Sequence, residues 1–267
     1  MTMVTFADAT TIGAGAIVGI VLGVVGGGGS VLAVPLLVYG VGVSSPHVAM
    51  GTSAIAVSVS AFANLVTHWR ASNVSWRCAG VFTLSGVIGT LLGSAAAKAV
   101  DGQRLLAVFG LLMIVIGLAM LRKPRGPENL DVRLSLGTAP KLLPPLVAYG
   151  LGIGLLSGFF GIGGGFLIVP GLMAATGMAI TRAIGTSLVS VSVFGASTAT
   201  SYAASGLIDW HLASFFIVGG ICGGLVGTAF GKVLARHKAV LRIAFGLVIV
   251  VLGLGLTARG IAHGMPA

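Results

Sequence analysis

Apolar positions in this chain do not alternate with polar ones but run on for whole segments. Predominantly apolar stretches at 51–67, 76–97, 105–121, 183–203, 210–231 and 243–258 each approach the roughly 17–25 residues that a helix needs to cross a hydrocarbon layer of ~30 Å. Two further stretches, 11–43 and 144–178, are too long for one crossing. Glycines interrupt both near the middle, and each glycine costs about 1 kcal/mol in a helix interior. Two foldings fit this pattern. One is a long kinked span. The other is a hairpin of two shorter helices that turns at the glycines and returns to its own side.

The two interrupted stretches are copies of each other. Gly26-Gly27-Gly28-Gly29-Ser30-Val31-Leu32-Ala33-Val34-Pro35 in the first half answers to Gly161-Ile162-Gly163-Gly164-Gly165-Phe166-Leu167-Ile168-Val169-Pro170 in the second, 135 positions on. Gly51-Thr52-Ser53 returns as Gly185-Thr186-Ser187 and Trp76 as Trp210, at an offset of 134. Phe109-Gly110 and Gly117 return as Phe245-Gly246 and Gly253, at an offset of 136. Matches that keep their order through both halves mark a duplication. Helix-breaking glycines at corresponding places in two apolar halves point to a transporter binding site.

Composition agrees with a lipid environment. Hydrophobic residues make up 56% and charged residues 7% of the 267, against roughly 25% charged in soluble domains. No Asp, Glu, Lys or Arg occurs from Ala9 to Trp69 or from Leu142 to Thr181. The 44 glycines therefore signal close helix contacts and broken helices rather than disorder. Asp8, with no Lys or Arg before the first apolar run, does not make the basic start of a cleaved signal peptide, so the first segment is expected to stay. Cys78 and Cys222 read as small buried hydrophobes.

The basic residues choose between the two foldings. If each glycine stretch is one crossing, the Lys and Arg positions divide 8 to 7 between the two sides. If each is a hairpin, they divide 12 inside to 3 outside, with Lys98, Arg104 and Arg259 outside. Only the hairpin obeys the positive-inside rule. A hairpin plus three crossings per half reverses the orientation of the second half. The two hairpins then enter from opposite faces and bring their glycine tips together near the midplane, as in an inverted-repeat transporter. Both termini are expected outside and the proline-containing linker inside. The formal charge of +10 follows from this placement, with anionic lipid headgroups as its partners, and requires no nucleic acid.

A helix that starts at a glycine turn inside the membrane presents unpaired N–H groups and the positive end of its dipole. Two such starts facing each other make an anion site. The residues expected to bind the anion are Gly28, Gly29 and Ser30 with Gly163, Gly164 and Gly165. Thr52, Ser53, Thr186 and Ser187 would add hydroxyl donors, and Asn64 a further polar contact. The helix after each hairpin carries a polar stripe at i+4 spacing: Thr52, Ser60, Asn64 and His68 in one half, Thr186, Ser190, Thr198 and Tyr202 in the other. All five acids, Asp8, Asp101, Glu128, Asp131 and Asp209, fall in loops or at segment ends. That disfavours metal-cation carriers and carboxylate proton relays, which need acids within the spans. His68, titrating near neutrality, is the candidate proton acceptor if uptake is proton-coupled. No catalytic pair, metal-ligand cluster, nucleotide loop or cofactor motif is present, so neither an enzyme nor a resident cofactor is expected.

The doubled G-x-G-G-G-x-x-x-V-P pattern, followed by Gly-Thr-Ser and by a Trp after the next helix, resembles the TauE/SafE sulfite-exporter family of membrane permeases. Gly161, Gly163, Gly164, Gly165, Val169 and Pro170 fit it fully, while the first copy has Ser30 for the last glycine and Gly27 at the variable position. The resemblance spans nearly the whole chain. It implies a bacterial or archaeal inner-membrane carrier of small sulfur-containing anions such as sulfite, sulfoacetate or related sulfonates.

The expected molecule is thus an all-α integral membrane protein. It has a first transmembrane repeat at 1–122, a cytoplasmic linker at 123–141 and a second, inverted repeat at 142–267, each repeat a glycine-tipped re-entrant hairpin plus three transmembrane helices. Its expected function is secondary export of a small oxyanion by alternating access. The alternatives are an anion channel and a proton-coupled uptake permease for a related organic anion.

Overall fold

The computed structural model describes residues 6–25, 27–121, 137–234 and 238–264, and every secondary-structure element among them is helical. In the first half, α1 (Phe6–Val25) is followed by a broken arm: a 3₁₀ segment Gly27–Leu32, a single α-turn α2 (Ala33–Pro35) and a wider π-wound segment Leu36–Val41. Then come α3 (Pro46–Arg70), α4 (Trp76–Lys98) and α5 (Gly102–Leu121). The second half runs α6 (Ala139–Phe160), α7 (Gly165–Thr176), α8 (Ile180–Ala203), α9 (Trp210–Leu234) and α10 (Lys238–Gly264). Each of the six stretches read as crossings lies in a helix of its own. Most of the linker, 122–136, lies outside the described residues.

Local chemistry sets several helix starts. Ser45 caps α3 through Val48 N–H, with Pro46 in the first turn. The Asp101 carboxylate accepts from the N–H groups of Gln103 and Arg104, at 3.1 Å each. Asp209 does the same for α9 through Leu212 N–H at 3.0 Å. Two of the five acids therefore act as helix caps, where a negative charge meets the positive end of the dipole.

The chain reverses at both glycine clusters. Gly29 lies against the backbone of Val18 and Leu22 in α1. Gly164 lies against Ser157, and Gly171 against Ile153, both in α6. The arms are unequal, however, and not a pair of short helices. α1 and α6 have 20 and 22 residues, or about 30–33 Å at 1.5 Å per residue, while α7 has only 12. The first arms are long because each lies along another helix for several turns. Gly15, Gly19 and Gly23 of α1 sit on the backbones of Phe216, Gly220 and Gly224 of α9. Gly150, Gly154 and Gly158 of α6 sit on Phe82, Gly86 and Thr90 of α4. Glycines every fourth residue bring the backbones into contact, which is how helices pack in lipid, where apolar burial gives no net drive.

These two seams are the same seam repeated, since the partners correspond at the offsets of the duplication. The halves also meet each other in matched pairs. Ser58 of α3 donates to the carbonyl of its counterpart Ser192 in α8 at 2.6 Å, and Gly195 rests on Ala54 and Ser58. In the α5–α10 pair, Gly110 packs on Gly253 and Gly117 on Gly246. In both pairs, position rises along one helix as it falls along the other, so the partners run antiparallel.

α3 and α8 form the centre, with 72% and 67% of their spans buried against 33% for α6 and 39% for α9. Leu84, Ile88 and Leu92 of α4, Val108, Leu111 and Val115 of α5, and Leu247, Val251 and Leu254 of α10 are exposed. The polar side chains of the central helices, Thr52, Ser53, Ser58, Ser60, Asn64, Thr186, Ser187 and Ser190, are buried instead. An apolar exterior around a hydroxyl-bearing interior is the arrangement a multi-pass membrane protein requires.

Candidate functional site

The two glycine arms meet at the centre of the molecule. The 3₁₀ segment of the first arm packs on α7 and also touches α3 and α8. Gly28, Gly29 and Ser30 on one side and Gly163, Gly164 and Gly165 on the other are all buried. Gly163 has a φ of +62° and faces Val57 of α3 and Val191 of α8, with a Cβ there 3.5 Å from Val57 and 3.6 Å from Val191. Val57 and Val191 are counterparts 134 positions apart and lie next to the Ser58–Ser192 contact. The second tip therefore reaches the line along which α3 and α8 meet.

Left-handed backbone makes this turn. Gly161, Gly163 and Gly164 have φ of +66°, +62° and +68°, a region that costs an L side chain about 1–2 kcal/mol. Gly164 is the N-cap of α7 and supplies no side-chain cap. Its carbonyl accepts from Leu167 and Ile168 N–H at 2.9 and 3.1 Å. Glycine at the N-cap leaves the first-turn N–H groups of α7 with no capping side chain, the condition under which a helix start receives an anion.

The hydroxyls expected at the site fall into two groups. Ser53 belongs at the tip, since its Oγ donates to Gly161 O at 3.2 Å and to Met50 O at 3.0 Å. Ser187 occupies the matching position on α8 and donates to Ile184 O at 2.8 Å. Thr52 and Thr186 look elsewhere and exchange equivalent bonds between the halves. Thr52 Oγ1 accepts from Asp209 N–H before α9, and Thr186 Oγ1 accepts from Ser75 N–H before α4, both at 3.0 Å. Beside them, Gly51 abuts Leu207 and Gly185 abuts Asn73, again counterparts.

The stripe of α3 continues along α9 and away from the tips. Asn64 Nδ2 donates to Ser60 O at 2.9 Å, and its Oδ1 accepts from Thr228 of α9 at 3.1 Å. Gly220 and Gly224 make room for Ser60 and Asn64. The stripe of α8 packs on α4, where Ser190 and Thr83 hydroxyls share a 2.8 Å bond and Phe194 fills the space over Gly86. His68 is half-buried on the last turn of α3, eleven residues or about 16 Å along the helix from Val57. Among the described residues, no group of three His, Cys, Asp or Glu side chains could hold a metal ion.

One polar group at the tip was not singled out from sequence. Ser157, on the last turn of α6, is fully buried, and its hydroxyl has no hydrogen-bond partner among the described residues. It lies beside Gly164, where a Cβ would come 2.7 Å from Ser157 Cβ and 2.8 Å from Oγ. The matching position in the first half is Leu22, so a repeat-based reading had no second copy to draw attention to it.

Three comparisons bear on this architecture. The family described as sulfite exporter TauE/SafE matches residues 11–256. A probable membrane transporter protein of Xylella fastidiosa (strain Temecula1) is 49% identical over 245 residues, covering 90% of this chain and 91% of the relative. Two Bacillus subtilis proteins described as probable membrane transporters are more distant. YunE is 24% identical over 92% of this chain and 96% of its own length, and YdhB 27% over 89% and 95%. No solved structure gives a significant match.

Proposed function

The chain belongs to the sulfite exporter TauE/SafE family and is a multi-pass membrane transporter; from that premise we propose that it exports a small sulfur-containing oxyanion, sulfite or an organosulfonate, across the inner membrane. The observation that carries this reading is the meeting of two glycine arms at the α3–α8 contact, with the uncapped start of α7 at that point. Backbone N–H groups around Gly163, Gly164 and Gly165 and around Gly28, Gly29 and Ser30 hold the anion, and Ser53 and Ser187 flank it. Thr52, Thr186 and Asn64 act one layer out, tying the central helices to α9 and α4. Positive dipole ends without a carboxylate favour anions over cations. The inside-negative potential already drives an anion outward by about 2.3 kcal/mol per charge per 100 mV, so export needs no coupling ion. Access alternates as one hairpin and then the other uncovers the tips, and both termini lie outside the cytoplasm.

Purified protein in liposomes tests the reading against sulfite, sulfoacetate, taurine, thiosulfate and sulfate. Saturable movement of sulfite or a sulfonate is expected, without response to amino-acid cations or divalent metals. Saturable transport of a cation together with indifference to every anion would overturn it.

A further inference from the structure

We infer that Ser157 is a ligand of the transported anion, its hydroxyl acting with the first-turn N–H groups of α7 to select a multi-oxygen anion over a monatomic one. This rests on the anion-site reading above and names a donor within it. Two independent observations converge. The Ser157 hydroxyl is fully buried and has no partner among the described residues. Membrane serines normally bond a carbonyl of their own helix, as Ser53, Ser85, Ser94, Ser187 and Ser192 do here. Ser157 does not, nor do Ser60 and Thr198, and of these three Ser157 is the one that abuts a tip glycine. It sits at the N-cap of α7, in the place a Gly164 side chain would need, beside a helix start that no side chain caps.

The two halves are complementary in this respect. Where the second half carries Gly165, the first carries Ser30, and where the first carries Leu22, the second carries Ser157. Each hairpin thus brings one hydroxyl to its turn, from opposite arms. A buried hydroxyl left without a partner is costly, and an anion oxygen docked at α7 would satisfy it. A sulfur oxyanion presents three or more oxygens, so one can take the hydroxyl while another takes the helix start. Chloride has to take both at a single centre, which demands that the donors converge on one point.

The test measures binding of sulfite and of chloride to the purified full-length parent, Ser157→Ala and Ser157→Cys, with thermal stability recorded without ligand. Ser157→Ala is expected to lose about tenfold or more in sulfite affinity, the worth of a hydrogen bond to a charged group. Its chloride affinity and its unliganded Tm should be unchanged or raised. Ser157→Cys keeps the size and a weak donor and should fall between. Binding of sulfite by Ser157→Ala at parental affinity overturns the inference and leaves the anion site standing. Equal losses for sulfite and chloride also overturn it, because the hydroxyl then does not discriminate. A parent that binds neither anion overturns both the inference and the reading beneath it.

Discussion

At the scale of single residues, the hydroxyls separate into those that hold the protein together and those placed at the tips. Thr52→Val and Thr186→Val keep the shape but remove the acceptor for Asp209 and Ser75 N–H. Each is expected to lower stability by about 1–3 kcal/mol, with sulfite affinity per folded molecule kept within a few-fold. Lost binding at parental Tm would instead put these hydroxyls on the ligand. The glycines separate in the same way. A Cβ at Gly29 meets Leu22 N and Val18 O at 2.5 Å, so Gly29→Val should fail by forcing α1 aside and says little about binding. Gly163→Ala has van der Waals room and is penalised mainly by its positive φ, by about 1–2 kcal/mol. It is the cleaner probe of the tip. Gly253, far from the tips in sequence, is not a neutral control, because it packs on Gly110 and Ile114. Gly80, with nothing within 4 Å of an added Cβ, is one, and Gly80→Ala should gain about 0.5–1 kcal/mol. The sequence shows that Thr52 and Thr186 are polar and repeated. It does not show that each bonds the other half, since that contact joins positions 157 and 111 residues apart.

At the scale of elements, the glycine spacing carries most of the legible information. Gly15, Gly19 and Gly23, like Gly150, Gly154 and Gly158, fall on one helical face, and that face is the seam. The glycine clusters mark both reversals. What the apolar run lengths hide is how an overlong stretch divides, because a helix of 20 residues and an arm of 12 have the same hydropathy as two equal arms. The division is set by the neighbour each first arm lies along. Substituting Gly223→Leu in α9, which abuts Ala16 of α1, should spread that seam and lower Tm by several degrees. The matched change Gly89→Leu, which abuts Leu151 of α6, should do the same in the other half. Helix ends also report orientation. Ala71 after α3 and Ala204 after α8 are exposed, and the antiparallel α3–α8 contact puts them on opposite faces. Cysteine at Ala204 should label from outside intact cells, and cysteine at Ala71 only after permeabilisation. Both labelling from one side would contradict the antiparallel pair. The reverse pattern would invert the orientation read from the 12-to-3 charge division.

At the scale of the whole molecule, the duplication becomes a mechanism because the repeated contacts bind the halves to each other. α1 with α9, α4 with α6, α3 with α8 and α5 with α10 are all pairings between halves. If access alternates as proposed, motion of one hairpin changes the surroundings of the other about the central site. On the proposed reading, direction follows from charge. Among the described residues the tips carry no carboxylate and no metal cluster, so the simplest carrier moves the bare anion, and the membrane potential sets its equilibrium. In liposomes given an inside-negative potassium diffusion potential, the steady ratio of external to internal anion should rise about tenfold for every ~60 mV and every unit of net charge moved. The anion should leave faster as the potential grows, and the rate should saturate with internal concentration, as a carrier's does and an open pore's does not. A pH gradient alone should leave the ratio near one once it is corrected for sulfite protonation. If the ratio follows the pH gradient and ignores the potential, the charge is being neutralised by a proton. Uncoupled export is then wrong, and His68 on the last turn of α3 becomes the first residue to replace.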